Sequence, residues 1–439
     1  MRRWSAISLG LLLGLCTSGA VQAQPADTIR LTVEQLFDRG TSCNLQLQAD
    51  LLKERMAEER RKDARKQAYP DVEVELAGGV IGQPVVFLHG LTDPTYPETP
   101  DWSQDYGIVF RQPIYKSGKI TLGIQKAELE RQIAVLETAE DDASVKLGLL
   151  QQYLNLFCLY KQQELLSYKI RESERRLIDI RQMKREGLIT NNDVLRSELQ
   201  LTDDQLALTE VNDGILLVSQ QLAILLALDE EAVIRPDEQF LDHVVPEVED
   251  YERYVSAAYA ANPAMQVLGK RIELSRNNIR YVRSDNLPSL YLEGGNTFAR
   301  PITRTMVDLY NNAWRIGLTL NIPVSAFYKN RHRRAEAEQQ LRLAINQEEQ
   351  GRQQIRMQIR TAFLKHKEAL ERAARMKLSI EQARENYRIM ENRYMNQLVI
   401  LTDLLDASSL YMNAELQAIT ARTQVIYTYY ELQKICGNL

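Results

Sequence analysis

Cysteine is scarce, with four in 439 residues, and one of them, Cys16, falls in the first 23. That is too few for a disulfide scaffold, even in a compartment that permits one. Cys43, Cys158 and Cys436 are far apart in sequence. Each fits a small buried apolar residue, and a bridge between Cys43 and Cys436 is open on sequence grounds. The four histidines, His89, His243, His332 and His366, are isolated, and none has a second ligand at helical spacing that would suggest zinc. There is no Gly-x-Ser-x-Gly elbow and no phosphate loop. The adjacent acidic pairs Asp141-Asp142 and Asp203-Asp204 point in different directions on a helix and converge on nothing. These absences exclude the common catalytic constellations, so neither an enzyme nor a cofactor is expected. Past the first residues, no stretch approaches the roughly 20 apolar residues a membrane-spanning helix needs.

Residues 1–23 have the form of a signal peptide. Arg2 and Arg3 start it, Ile7 to Leu15 supply a short apolar run, and Val21-Gln22-Ala23 precede Gln24 as a cleavage site. Leu13-Gly14-Leu15-Cys16 is a partial lipoprotein box with a bulky Leu15 before the cysteine, so lipidation of Cys16 stays an alternative. Removing this leader takes away two arginines and no acids, so the net charge of −5 becomes about −7. That balance gives no electrostatic reason to bind nucleic acid.

Proline is absent between Pro113 and Pro236 and after Pro323. Proline breaks helix interiors, so two very long proline-free stretches read as helix. Leu147, Leu150, Leu154 and Phe157 step by three and four, as do Leu208, Val211, Ile215, Val218, Leu222 and Leu225. Met412, Leu416, Ile419, Thr423, Ile426 and Tyr430 repeat the pattern, which is that of a coiled-coil-like seam. A helix from about Lys119 to Glu186 extends roughly 100 Å at about 1.5 Å per residue, more than a globular core requires.

Between the helices the period changes to two. Trp314, Ile316, Leu318, Leu320 and Ile322 alternate with Arg315, Gly317, Thr319 and Asn321. Val72, Val74 and Leu76 alternate with Glu73 and Glu75; Ile108 and Phe110 stand against Arg111, and Leu290 and Leu292 against Glu293. Each is a strand with one apolar face. Four strands are read, in hairpins over 71–113 and 288–323, with loops at Gln83 to Ser103 and Arg300 to Asn312. Alternation fits a soluble sandwich as well as a membrane barrel, but a membrane barrel closes on itself and takes at least about eight strands, so one chain cannot close one; if these strands sit in a membrane, several subunits must share it.

The two halves echo each other. Tyr69-Pro70-Asp71-Val72-Glu73-Val74 parallels Leu287-Pro288-Ser289-Leu290-Tyr291-Leu292. Arg111-Gln112-Pro113-Ile114 parallels Asn321-Ile322-Pro323-Val324, and Asp193-Val194-Leu195 parallels Asp403-Leu404-Leu405, both pairs at an offset of 210. Each repeat, 24–228 and 251–439, reads as helix, strand, loop, strand, long helix, tight turn, return helix. The acidic segment 229–250, with Pro236 and Pro246, is a linker with room for a small helix.

That order, the strand endings Gln112-Pro113-Ile114-Tyr115 and Asn321-Ile322-Pro323-Val324, and Thr402-Asp403-Leu404-Leu405-Asp406-Ala407 resemble the TolC family of outer-membrane efflux proteins over nearly the whole mature chain. The resemblance implies a mainly α fold with a small β part and internal duplication. Long antiparallel helices form a periplasmic α-barrel, and four strands per chain join a shared transmembrane β-barrel in a homotrimer. It implies export of drugs, metals or proteins through a tripartite efflux or type I secretion system. The partners implied are a periplasmic adaptor, an inner-membrane pump of RND, ABC or MFS type, and outer-membrane lipid. It places the adaptor-docking tips at Gly187, Leu188, Ile189 and Asn396, Gln397, Leu398. Asp403 and Asp406 match the family's selectivity ring, and acidic rings favour cations. Tyr394 and Asp193 match positions that hold the entrance shut by a hydrogen bond between helix pairs. Val399 stands where the best-studied members carry arginine, a departure that weakens or rebuilds the lock.

Plainer readings accompany these. Asp193 and Asp403 also fit helix N-caps, and Asp406 an ordinary solvated residue. Lys329, Arg331, His332, Arg333 and Arg334 fit either a site for lipid phosphates or a solvated first turn. A soluble periplasmic coiled-coil scaffold accounts for the helices alone, but has no use for alternating hairpins with aromatic loops.

Overall fold

The computed structural model describes residues 28–98, 100–239, 250–300 and 309–439. The leader 1–23 with Cys16, the acidic segment 240–249 with Pro246 and His243, and residues 301–308 of the second hairpin loop lie outside the described residues.

Two helices precede each first sheet strand, where the sequence pattern suggested one. Helices α1 (Val33–Cys43) and α2 (Leu45–Lys66) break at Asn44; α5 (Tyr251–Ala261) and α6 (Pro263–Ser284) break at Asn262. Each asparagine is extended, ends one helix, and caps the next by accepting a backbone N–H on its side-chain oxygen, from Gln46 and Leu47 in one case and Met265 in the other. A single polar side chain at each site thus makes a corner that the hydrophobic period does not announce.

The long helices are α3 (Lys119–Arg185, 67 residues) and α8 (Arg331–Met395, 65 residues), each about 100 Å long at about 1.5 Å per residue. They return as α4 (Asn191–Leu225) and α9 (Leu401–Cys436); a short α7 (Ala326–Lys329) precedes α8. Leu147, Leu150, Leu154 and Phe157 are buried, as are Val211, Ile215, Val218 and Leu222. The seam ends differently from its sequence reading: Leu225 is exposed and Leu226 is fully buried in its place. On α9 the buried positions include Ala414, Ala418, Ala421 and Val425 besides Thr423 and Ile426 of the predicted seam.

Strands β2 (Asp71–Val80), β5 (Trp102–Tyr115), β7 (Ser289–Arg300) and β8 (Asn311–Asn321) form one antiparallel sheet in that order. The register puts Val74 beside Ile108, Ile108 beside Asn296, and Asn296 beside Trp314. Val72, Phe110, Gly294 and Ile316 form the next row, in which a side chain at Gly294 would collide with the Phe110 ring. One face is therefore mainly apolar, interrupted by Asn296 and Gln112, and it is open: Leu76 is 72% exposed, Trp314 75% and Leu318 65%. The other face carries a polar network in which Arg111 Nε is 2.8 Å from Glu293, Thr319 donates to Glu293 at 2.9 Å, and Arg111 lies 4.0 Å over the Tyr291 ring. Both outer strands, β2 and β8, have one edge without a strand partner among the described residues.

Four further strands, each of four residues, are too short to show an alternation. β3 (Val86–His89) and β4 (Thr92–Thr95) make a hairpin inside the first long loop. β1 (Thr28–Leu31) pairs in parallel with β6 (Val233–Pro236), so the segment read as a linker with room for a helix holds a strand. Tyr153 fastens this pair to α3: its hydroxyl donates to Leu31 O at 2.8 Å and accepts from Asp237 N at 2.7 Å. Around it lies the largest core, with Leu36, Leu150, Leu156, Leu222 and Ile234 fully buried; each such side chain contributes about 1.5–3 kcal/mol.

Cys43, Cys158 and Cys436 are free thiols, which corrects the bridge considered above. Cys43 sits beside Ser42 at the end of α1, whereas Cys436, at the end of α9, lies against Tyr254 O of α5.

Candidate functional site

The two turns that join the long helices to their returns have the same construction. After α3, Gly187 N–H donates to Lys184 O and Leu188 N–H to Met183 O, both at 3.0 Å. After α8, Gln397 N–H donates to Tyr394 O and Leu398 N–H to Arg393 O, both at 2.9 Å. Every donor and acceptor in the second turn lies 210 residues after its counterpart. This is the Schellman closure of a helix, which needs one left-handed residue. Gly187 takes it at φ 77° and Gln397 at φ 60°. The return helices then start from Thr190 and Ile400 with nearly identical extended backbones, φ/ψ −88/161 and −83/160.

At the third position of each return helix stands an aspartate. Asp193 Oδ2 accepts from Thr190 N at 3.0 Å and from Thr190 Oγ1 at 2.7 Å, so it serves as the acidic member of a capping box rather than as the N-cap itself. In α9 the N-cap position is Ile400, which has no side-chain acceptor, and this likewise displaces the N-cap reading of Asp403. Asp403 and Asp406 are one turn apart and exposed, turned away from buried Leu401, Leu404 and Ala407. Neither carboxylate has a hydrogen-bond or ion-pair partner among the described residues.

Behind the turns, Leu177, Ile180, Val194, Tyr394, Leu401 and Leu404 form a separate core, with Ile189 and Val399 packed on its edge. Val399 thus fills an apolar position. The Tyr394 hydroxyl is buried without a hydrogen-bond partner, and burial raises its pKa, assisted by the nearby Asp193 charge. No hydrogen bond joins Tyr394 to Asp193 in this structure; Asp193 is committed to Thr190.

The polar tie between the two helix pairs lies seven residues earlier, at Tyr387. Arg176 Nη2 of α3 donates to Tyr387 Oη at 3.0 Å, and Tyr387 Oη donates to Glu172 Oε2 at 3.2 Å. Tyr168 donates to the other oxygen of Glu172 at 2.8 Å, and Tyr387 stacks on Tyr411 with centroids 6.0 Å apart. Burial pushes the Tyr387 hydroxyl well above its ordinary pKa, so it stays a proton donor at any physiological pH. The sequence reading missed this group. The available signal was spacing: Tyr387 and Tyr394 are seven apart, so both return to the same face of α8.

At the tips themselves Leu188 is 50% exposed, Leu398 73% and Ile400 67%. Asn396 is held by its own side chain, which donates to Asn392 O at 2.7 Å. Each turn therefore presents an apolar knob on a backbone whose own hydrogen bonds are satisfied, an arrangement suited to binding another apolar surface. Among the described residues, no group of three or more acidic, histidine or cysteine side chains is placed to hold a metal ion, and no helix is long and apolar enough to cross a membrane.

Comparison with known proteins agrees with this geometry. Residues 254–438 match the family model of outer membrane efflux proteins. The chain is similar in structure to the outer-membrane channel OprN, with a TM-score of 0.77, 17% identity, and 93% of this chain and 90% of that chain covered. It is also similar to the outer membrane protein VceC of Vibrio cholerae, with a TM-score of 0.75, 16% identity and 92% and 96% covered. The open state of the MtrE outer membrane channel of Neisseria gonorrhoeae gives a TM-score of 0.72, 15% identity and 92% and 88% covered. No curated protein sequence matches the chain. The outer membrane efflux family model thus matches the C-terminal part of the chain, and nearly its whole length has the fold of these outer-membrane channels.

Proposed function

We propose that the chain is the outer-membrane channel of a tripartite efflux system, in which a helical tunnel crosses the periplasm and receives substrate from a periplasmic adaptor and an inner-membrane pump. The observation that carries this reading is the open apolar face of the β2-β5-β7-β8 sheet. Leaving Leu76, Ile108, Trp314, Ile316, Leu318 and Leu320 each at least half exposed is unfavourable in water by about 25 cal/mol per Å2 and is relieved in lipid. A soluble scaffold has no way to cover that face.

The finer proposal is a homotrimer. Strands β2 and β8 each leave one edge open, and lipid tolerates no open edge. Pairing β8 of one copy with β2 of the next, three times, closes a barrel of three times four strands. The turns at Gly187, Leu188 and Ile189 and at Asn396, Gln397 and Leu398, with Leu188 and Leu398 exposed, serve as adaptor-docking tips. Asp403 and Asp406, exposed and unpaired, form the cation-favouring ring once copies surround an axis. Tyr394 and Asp193 belong to the entrance, with Arg176, Tyr387 and Glu172 supplying the hydrogen bonds between helix pairs. The pump partner is of RND, ABC or MFS type.

Single-channel recording tests this reading. Asp403→Asn with Asp406→Asn is expected to lower cation over anion selectivity; unchanged selectivity would remove the ring from the account.

A further inference from the structure

We propose that a cavity between α2, α3 and α6 is a binding site for organic anions on the inner wall of the tunnel, just below the barrel. The proposal rests on the channel reading for its place, but not for its chemistry.

The three helices lie side by side with α3 in the middle. One cavity of about 760 Å³ touches all of them. A layer of three helices offers a space common to all three on its concave side, and when such a layer closes into a tunnel the concave side faces the axis. The height follows from the chain: Arg65 lies six residues before β2, Gln125 ten after β5, and Arg280 nine before β7.

Charge bookkeeping leaves this wall positive. Arg61 and Arg131 are consumed by Glu58 and Glu128: Arg61 lies 2.6 Å from Glu58 and 3.6 Å from Glu128, Arg131 2.8 Å from Glu128 and 3.8 Å from Glu58. Glu273 is paired with Lys270 at 3.3 Å. Arg65, Arg276 and Arg280 remain, with no carboxylate partner among the described residues, and Arg276 and Arg280 share one face of α6 at a spacing of four. Guanidinium groups match the planar, bidentate geometry of carboxylate and phosphate.

A second feature points into the same cavity. Asn277, which lines it, is 7% exposed; its Nδ2 donates to Gln125 at 3.1 Å, while its Oδ1 is buried without a partner. A buried acceptor left unpaired is costly and calls for a donor from a guest. Ile124 and Leu129 supply an apolar floor. The site therefore fits an aryl or alkyl phosphate or carboxylate, held by the arginines, and an O–H or N–H on the guest would in addition satisfy Asn277 Oδ1. A phospholipid headgroup has the same anionic chemistry, and the test separates the two.

The 31P resonance of phenyl phosphate is followed as full-length protein in uncharged detergent is added. Saturable broadening is expected, weakened about tenfold or more in Arg276→Gln with Arg280→Gln, as the loss of about 1.4 kcal/mol or more requires. Arg65→Gln alone, expected to weaken it less, serves if the double variant fails to assemble. Broadening equal in wild type and variants overturns the site. Retention of phosphatidylglycerol by wild type but not by the variants in native mass analysis, without phenyl phosphate binding, places the arginines against lipid and overturns the tunnel-wall assignment. A protein that binds phenyl phosphate but passes no ionic current contradicts the channel reading and leaves the site standing.

Discussion

Asp193 and Asp403 occupy the same third position of two return helices, 210 residues apart, yet only Asp193 is held, because Thr190 has a hydroxyl where Ile400 has none. The same backbone thus carries a structural carboxylate in one turn and a free one in the other. Asp193→Ala is expected to cost about 0.5–2 kcal/mol, the range for losing a cap. Asp403→Ala stays within about 0.5 kcal/mol, as for an exposed position without partners. Thermal unfolding of both variants in detergent checks the contrast; equal losses would contradict it.

Tyr387 and Tyr394 give an opposite pair. Tyr387→Phe removes hydrogen bonds to Arg176 and Glu172 and is expected to cost about 1.5–3 kcal/mol between the helix pairs. Tyr394→Phe deletes a buried hydroxyl without a partner and leaves stability unchanged or slightly raised. In single-channel recordings, Tyr387→Phe increases the time spent in higher-conductance states and Tyr394→Phe does not. The reverse order would return the tie to Tyr394 and Asp193.

Gln397 holds a left-handed backbone that glycine adopts freely. Gln397→Gly is expected to stabilise the second turn by about 1 kcal/mol, and Gly187→Ala to destabilise the first by a similar amount. Both are read as shifts in melting temperature.

On the sheet, Leu318 and Thr319 are neighbours on opposite faces. Leu318→Arg puts a charge on the apolar face at a cost of about 2–4 kcal/mol at mid-membrane depth and is expected to reduce the assembled protein recovered from the outer membrane. Thr319→Arg, on the face shared with Glu293, is tolerated. Similar yields of the two variants would remove lipid from the apolar face.

The Arg131 side chain, hydrogen-bonded to Glu128, holds that carboxyl down to about 2 from its ordinary 4.5. A depressed carboxyl pKa stabilises the fold above the unfolded value, and that contribution is lost as pH falls from about 4.5 towards 2. Wild-type melting temperature is expected to fall through this window more steeply than that of Glu128→Gln, and the difference between them narrows at the acid end.

Much of the fold was legible because long helices and two-sided strands repeat their signal over many residues. The start of α3 at Lys119, its end near Glu186 and the 210-residue offset all survive as geometry. What escaped was set by single residues or by distant partners. Asn44 and Asn262 break helices with one side chain each, and β1 and β6 are four-residue strands whose pairing joins Thr28 to Val233. At the two turns, the residues matching the family pattern could be named, but their hydrogen bonds depend on which rotamer and which helix face each polar group meets. The exchange of Thr190 for Ile400 shows how one side chain changes the role of an aspartate three positions on.

A sheet that sits in a membrane as one part of a shared barrel must come from a multimer, so subunit count in the envelope is the decisive measurement. The processed protein is expected in the outer-membrane fraction in mild detergent, with three copies in its native mass. A soluble periplasmic monomer or dimer would contradict the shared barrel.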